Sequence, residues 1–232
     1  MARDKKMTEK KPRHTGHDES GHSLIELLIV LAIVTILSAI AIPQMVSQRR
    51  LLRSTAMPRE IATQLRFARQ LAMSNRQAYT FQYEDTSTKK EIKVLGPVTV
   101  GGAALSSSAP GCPTTLPSTA VSTVGLDQGG LPISEISYGI PTSSELPSGA
   151  PSIPTGALSD GVSKTALASN KICITFQPDG RVIDSTDTLV DRALYFYNNK
   201  AAQATASAIS VLGSSGRVKM WRYTPNGNKY VE

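Results

Sequence analysis

The stretch SGHSLIELLIVLAIVTILSAIAIPQ, residues 20–44, decides how this chain is read. Between Leu24 and Ile42 the only polar side chains are Glu26, Thr35 and Ser38. Those nineteen residues, at about 1.5 Å each, cover about 28 Å, close to the roughly 30 Å hydrocarbon core of a bilayer. The run is longer than the apolar core of an ordinary secretory signal, and Pro43-Gln44 follows it rather than a small-residue cleavage site. It reads as an anchor. Glu26 is the anomaly, because a carboxylate costs about 2.5–3.5 kcal/mol at mid-membrane. It can be a polar residue at the membrane edge reaching water, part of an ion or proton path, or a carboxylate that meets a cation from another chain. A single span with no partner charge speaks against the path.

Charge is distributed unevenly around this run. Residues 1–21 carry six Lys/Arg and four Asp/Glu, and residues 44–78 carry seven Arg against the single Glu60. From residue 79 onward twelve cations balance twelve anions, so the net +7 belongs to the N-terminal third. Arg49, Arg50 and Arg53 follow the span closely, so the positive-inside rule favours a cytoplasmic N-terminus by a small margin only. The three histidines, His14, His17 and His22, all lie before or at the edge of the run. Beyond it the commonest general base and metal ligand is missing, and two cysteines are too few for a Cys-based zinc site. Neither a metal nor a cofactor is expected, and no motif points to an enzyme.

Beyond Pro43, Met57, Ile61, Leu65, Ala68 and Ala72 recur at helical spacing, with Arg59, Arg66, Arg69 and Arg76 on the adjoining face. The pattern predicts one helix from Ser23 to about Asn75, on the order of 80 Å long, kinked at Pro43 with a second bend at Pro58. Its apolar stripe needs a partner. YTFQY (79–83) and EIKVL (91–95) read as a hairpin around a turn at 85–90. Residues 96–170 change character: 42 of 75 are Gly, Pro, Ser or Thr, which predicts loop with short strands at most. Strand patterns return at KICITF, then Pro178-Asp179-Gly180 turns the chain into Arg181-Val182-Ile183. ALYFY (193–197), SAISVL (207–212) and RVKMWRY (217–223) follow, the last two joined by a turn at 213–216. In the last strand Val218, Met220 and Arg222 face one way, and Arg217, Lys219, Trp221 and Tyr223 the other. The fold class expected is α+β, a long helix packed on a small antiparallel sheet.

GHSLIELLIVLAIVTILSAIAIP resembles the class III signal of type IV pilins and type II secretion pseudopilins. That pattern is Gly, a residue that is usually Phe, Ser/Thr, Leu, Ile/Val and Glu, then an apolar run containing a Pro. Here these positions are Gly21, His22, Ser23, Leu24, Ile25, Glu26 and Pro43. The resemblance implies cleavage after Gly21 by a prepilin peptidase/methyltransferase and N-methylation of His22, which stands where Phe is usual. It further implies that Glu26 pairs with the new α-amino group of a neighbouring subunit, rewarding correct register during assembly. Downstream, REIATQLRFARQLAMSNRQAYTFQYE, ITFQPDGRV and GSSGRVKMWRY are similar to GspH/FimT-type minor pseudopilins. On that resemblance residues 1–21 are a leader, 22–43 a transmembrane assembly helix and 44–78 its amphipathic continuation. Residues 79–232 are then a β-rich domain with the insert 96–170.

The implied protein is a minor subunit of a type IV pilus or type II secretion pseudopilus, held in the bacterial inner membrane with its C-terminal domain outside the cytoplasm. Its implied partners are other pilin or pseudopilin subunits, and DNA or secreted cargo. FimT-like members are associated with DNA uptake. The matching feature is the basic group Arg217, Lys219, Arg222 and Lys229, with Trp221 and Tyr223 among them for base stacking. Against that stands a plain solvated strand face with its aromatics packed inward. Cys112 and Cys173 would lie where disulfides form, and either a bridge or two unpaired thiols fits.

Overall fold

The structure is a computed structural model and describes residues 23–99, 111–115, 117, 119–127, 131–142, 167, 169–184, 186–226 and 229–232. The chain divides into two compact units, the first ending at Met45 and the second running from Val46 to Glu232. One helix, α1 (Leu24–Asn75), contributes to both.

In the first unit α1 is apolar on every face, and the side chains from Leu24 to Ile42 are exposed. The helix is long and apolar enough to cross a membrane. The helix continues through both Pro43 and Pro58 without a break.

In the second unit the helical spacing is realised: Met57, Ile61, Leu65, Ala68 and Ala72 are all buried, together with Ala62. A buried Ile or Leu side chain contributes about 1.5–3 kcal/mol, so this stripe fixes the helix to its sheets. The helix ends in a left-handed residue, Arg76 (φ 51°), and the Gln77 amide reaches back to the Ala72 carbonyl at 3.3 Å. That six-to-one bond is the Schellman closure, which satisfies a terminal carbonyl.

The stripe packs on two antiparallel sheets rather than the one small sheet the sequence suggests. The strands are β1 (Ala78–Asp85), β2 (Lys90–Val98), β3 (Ala120–Gly125), β4 (Ile136–Tyr138), β5 (Lys171–Phe176), β6 (Arg192–Asn198), β7 (Ser207–Leu212), β8 (Arg217–Thr224) and β9 (Lys229–Val231). A short helix, α2 (Ala202–Thr205), joins β6 to β7. The first sheet has the order β3-β2-β1-β5 and the second β4-β6-β7-β8-β9. The first hairpin forms as expected, with Tyr83 opposite Ile92 and Asp85 opposite Lys90.

The sheets separate because the turn at Pro178-Asp179-Gly180 does not return a paired strand. The turn closes (Gln177 N to Arg181 O, 2.8 Å), but only single bridges follow, Phe176–Val182 and Ile183–Leu189. The expected strand 181–183 is therefore a connection, and β6 starts a new sheet. Tyr83 of β1, Tyr138 of β4 and Phe196 of β6 join the sheets at 5.1–5.8 Å between ring centres, Phe196 edge to face with both tyrosines and the tyrosines tilted to each other. The insert supplies β3 and β4, one strand at the margin of each sheet. Most of the rest of the insert lies outside the described residues.

Each sheet has a second covered face. On the first, Thr80, Gln82, Cys173 and Thr175 point away from the helix yet are buried. On the second, Tyr195, Tyr197, Trp221, Tyr223 and Tyr230 form a separate cluster with Ala202 and Ala206 beside α2.

Candidate functional site

The sequence places its most specific features at the start of α1. Gly21 and His22 lie outside the described residues. Leu24 opens the helix, and the amides of Glu26 and Leu27 bond the Ser23 carbonyl at 2.9 and 3.2 Å. Glu26 thus sits in the first turn, where its charge complements the positive end of the helix dipole. It is exposed among exposed Leu24, Ile25, Leu27 and Leu28, so a carboxylate is presented from an otherwise apolar helical surface. Pro43 is exposed on the same helix, one turn beyond Ala39.

Residues 16–42 match a family model described as the prokaryotic N-terminal methylation motif. That match covers the N-terminal signal alone, a signal of the type IV pilin and pseudopilin kind. A signal of this superfamily implies processing by a prepilin peptidase and other pilin subunits as partners. Two solved structures are similar to this pilin-like chain, both crystal structures of the type IV minor pilin FimU from Pseudomonas aeruginosa (strain PAO1), in space groups P21 and P65. Each is 12% identical over 76% of this chain and over 91% and 96% of FimU, with TM-scores of 0.41 and 0.40. That overlap is too loose for any property of FimU to be carried across. No curated protein matches the chain.

Of the alternatives left open by the two cysteines, the structure selects the bridge: Cys112 and Cys173 form a disulfide. Thr175 donates its hydroxyl to the Gly111 carbonyl at 2.8 Å, beside the Thr80–Thr175 hydroxyl contact at the same distance. Gly111 has φ +80°, and a Cβ there would stand 2.4 Å from the Cys173 carbonyl oxygen. The strap therefore lies on the backbone of β5, which is why the outward Thr80, Cys173 and Thr175 are buried.

The four C-terminal cations do not form a single face. Arg217 and Lys219 alternate with Val218 and Met220, and Arg222 shares the register of the latter two. Lys219 bonds Glu232 at 2.6 Å and lies 5.3 Å from the Trp221 ring centre. Lys229 is exposed opposite Thr224. Trp221 and Tyr223 are buried in the second cluster, and Trp221 Nε1 donates to Ser210 Oγ at 3.0 Å. Neither ring is presented for base stacking, which corrects the aromatic part of the nucleic-acid reading. The physical reason is α2, which covers that face of the sheet.

Two cations of α1 instead reach the backbone around the turn that precedes Arg217. Arg66 Nη2 reaches the Val218 carbonyl at 3.5 Å. The Arg69 side chain lies against Gly216 and Gly180, so closely that a Cβ on Gly216 would meet Arg69 Nε at 2.9 Å and the Gly180 carbonyl oxygen at 1.9 Å. Gly216 (φ +61°) is thus required beside Arg217 on two counts, backbone angle and space. The sequence places Arg66 and Arg69 only on the helix face that adjoins the apolar stripe. The signal that could have linked them to Arg217 is the pair of glycine turns that receives Arg69.

A buried polar latch joins α1 to the second sheet as well. Asn198 Nδ2 donates to Ser54 Oγ on α1 at 2.9 Å and to Glu135 Oε2 at 3.1 Å, and Arg50 Nε lies 3.3 Å from the same carboxylate oxygen. Ser54 and Asn198 are 1% exposed and Glu135 7%. The partners are 144 and 63 residues apart, so no local spacing announces them.

Proposed function

We propose that this chain is a minor subunit of a type IV pilus or a type II secretion pseudopilus, of the GspH/FimT kind, acting in assembly or at the tip and without catalytic activity. A prepilin peptidase cuts after Gly21 and methylates His22. The span holds the subunit in the inner membrane before assembly, with the β-rich domain outside the cytoplasm. The observation that carries this reading is the methylation motif at residues 16–42, with Glu26 five residues after the cleavage point and on the first turn of an apolar helix. In an assembled filament Glu26 meets the α-amino cation of a neighbour. In a low dielectric that pairing discriminates strongly between matched and mismatched registers.

Co-expression with a prepilin peptidase tests the first step. Intact-mass measurement should find the product beginning at His22 and carrying one methyl group, and Gly21→Leu should abolish the cut. An unchanged mass in the wild-type chain would sink the assignment. Glu26→Ala should be cleaved normally but enter filaments poorly, read by immunoblot of sheared filaments. Normal incorporation would remove the pairing.

A second reading, contact with DNA, has one observation in its favour: Arg66 and Arg69 reach the turn that carries Arg217. With Trp221 and Tyr223 buried, such contact is to phosphates and not to bases, and it weakens steeply with salt. Arg217→Glu combined with Arg66→Glu should abolish oligonucleotide binding at low salt. Retained binding would eliminate this reading.

A further inference from the structure

Arg222 occupies an inward register. It shares a face of β8 with Val218 and Met220, whose side chains pack into the helix-facing core. At Arg222 that core gives out, and a groove of about 410 Å³ opens between α1, α2 and β8. Its walls combine Pro58, Ala204, Met220 and Pro225 with the polar Gln203 and Thr205, and Arg222, itself exposed, is the one cation, with no carboxylate among the lining residues. Among the described residues the guanidinium has no ion pair or side-chain hydrogen bond. An exposed cation at the edge of such a groove is unfavourable to cover unless an anion covers it.

We propose that this groove docks an extended peptide segment of a second protein, one that carries an Asp or Glu between small apolar residues, with the carboxylate on Arg222. The volume falls within the range of clefts that hold ligands, roughly 300–1,000 Å³. A guanidinium offers a planar pair of donors that matches a carboxylate, and the apolar walls suit the flanking side chains. A nucleic acid is a poorer occupant: strands are held by several cations along the backbone, and Arg217 and Lys219 project from the opposite side of β8. The proposal goes beyond the filament reading and does not depend on how the N-terminus is processed.

The test uses the full chain in detergent micelles, immobilised, and two heptapeptide pools read by mass spectrometry. One pool has a central Glu flanked by Ala, Leu, Pro or Val; the other has Gln at the centre. The Glu pool should yield retained peptides, and their Gln counterparts should bind about tenfold more weakly, as expected for loss of a charge-assisted contact. Arg222→Gln should erase that preference while the melting temperature stays unchanged. Arg222→Glu should transfer it to a pool with central Lys, a gain of function that misfolding cannot mimic. Equal retention of the Glu and Gln pools, no retention of either, or indifference to Arg222→Gln overturns the proposal. So does displacement of the retained peptides by a single-stranded oligonucleotide that itself requires Arg222.

Discussion

The two halves of α1 share a backbone conformation and differ in what surrounds them. From Leu24 to Ile42 every side chain is exposed, and apolar residues occupy all faces. From Met57 to Ala72 the buried apolar residues form one stripe at 0–6% exposure, with Phe67 exposed outside it. A helix apolar all round is built for a medium that is apolar all round, and a helix with one apolar stripe for a core on one side. The difference shows that one continuous helix carries two surfaces, an apolar one suited to a membrane in the first half and a single stripe packed on the domain's own core in the second.

The sharpest way to break that comparison is one truncation in each half. Leu65→Ala, in the buried stripe, should lower the stability of the second unit by about 3–5 kcal/mol in chemical denaturation. Leu37→Ala, an equal truncation in the exposed half, should leave the same transition within about 0.5 kcal/mol. Equal effects would mean the halves are not independent.

The disulfide perturbs the second unit without touching the helix. It closes a separation of 61 residues, and loop-closure arithmetic puts its contribution at about 4 kcal/mol, with measured bridges more often giving about 2–4. Cys112→Ser with Cys173→Ser should lower the denaturation midpoint accordingly. It should leave insertion of the span into membranes unchanged, read by carbonate extraction.

The polar latch marks where burial begins along α1. Asn198→Ala removes the donor to Ser54 and Glu135 and leaves a buried carboxylate with one partner fewer, so about 1–3 kcal/mol should be lost. Hydrogen exchange should then quicken at Arg50–Ser54 more than at Leu65–Ala72. Uniform quickening would argue against a local latch.

The smallest effect is electrostatic. Burial pushes the Glu91 carboxyl up, but Lys89 and Lys93 against it more than offset this and hold it below the ordinary carboxylate range. A depressed folded value means that the contribution is present at neutral pH and is lost as pH falls through that value. Glu91→Gln should flatten the acid side of the stability profile by under about 1 kcal/mol, with no change in the first half of α1.

Much of this arrangement is legible in residue spacing. The stripe Met57, Ile61, Leu65, Ala68, Ala72 is read directly from the helical period, and the hairpin β1–β2 from alternation around a polar turn. Local rules suffice there because each element buries one face in its own period. They fail at 181–183, where a good turn leads into single bridges because β6 pairs elsewhere. They fail again at Trp221 and Tyr223: alternation puts them opposite Met220, but only α2 makes that side a core.

By itself, the sequence determined the N-terminal signal, the span and the amphipathic continuation, since cleavage signals and helical periodicity are written over adjacent residues. Tertiary structure alone decided the split into two sheets, the Cys112–Cys173 bridge, the meeting of Arg66 and Arg69 with the Arg217 turn, and the Arg222 groove. Each of these joins residues tens to more than a hundred positions apart. Such contacts depend on which faces pack together, and strand periodicity says only that a face exists.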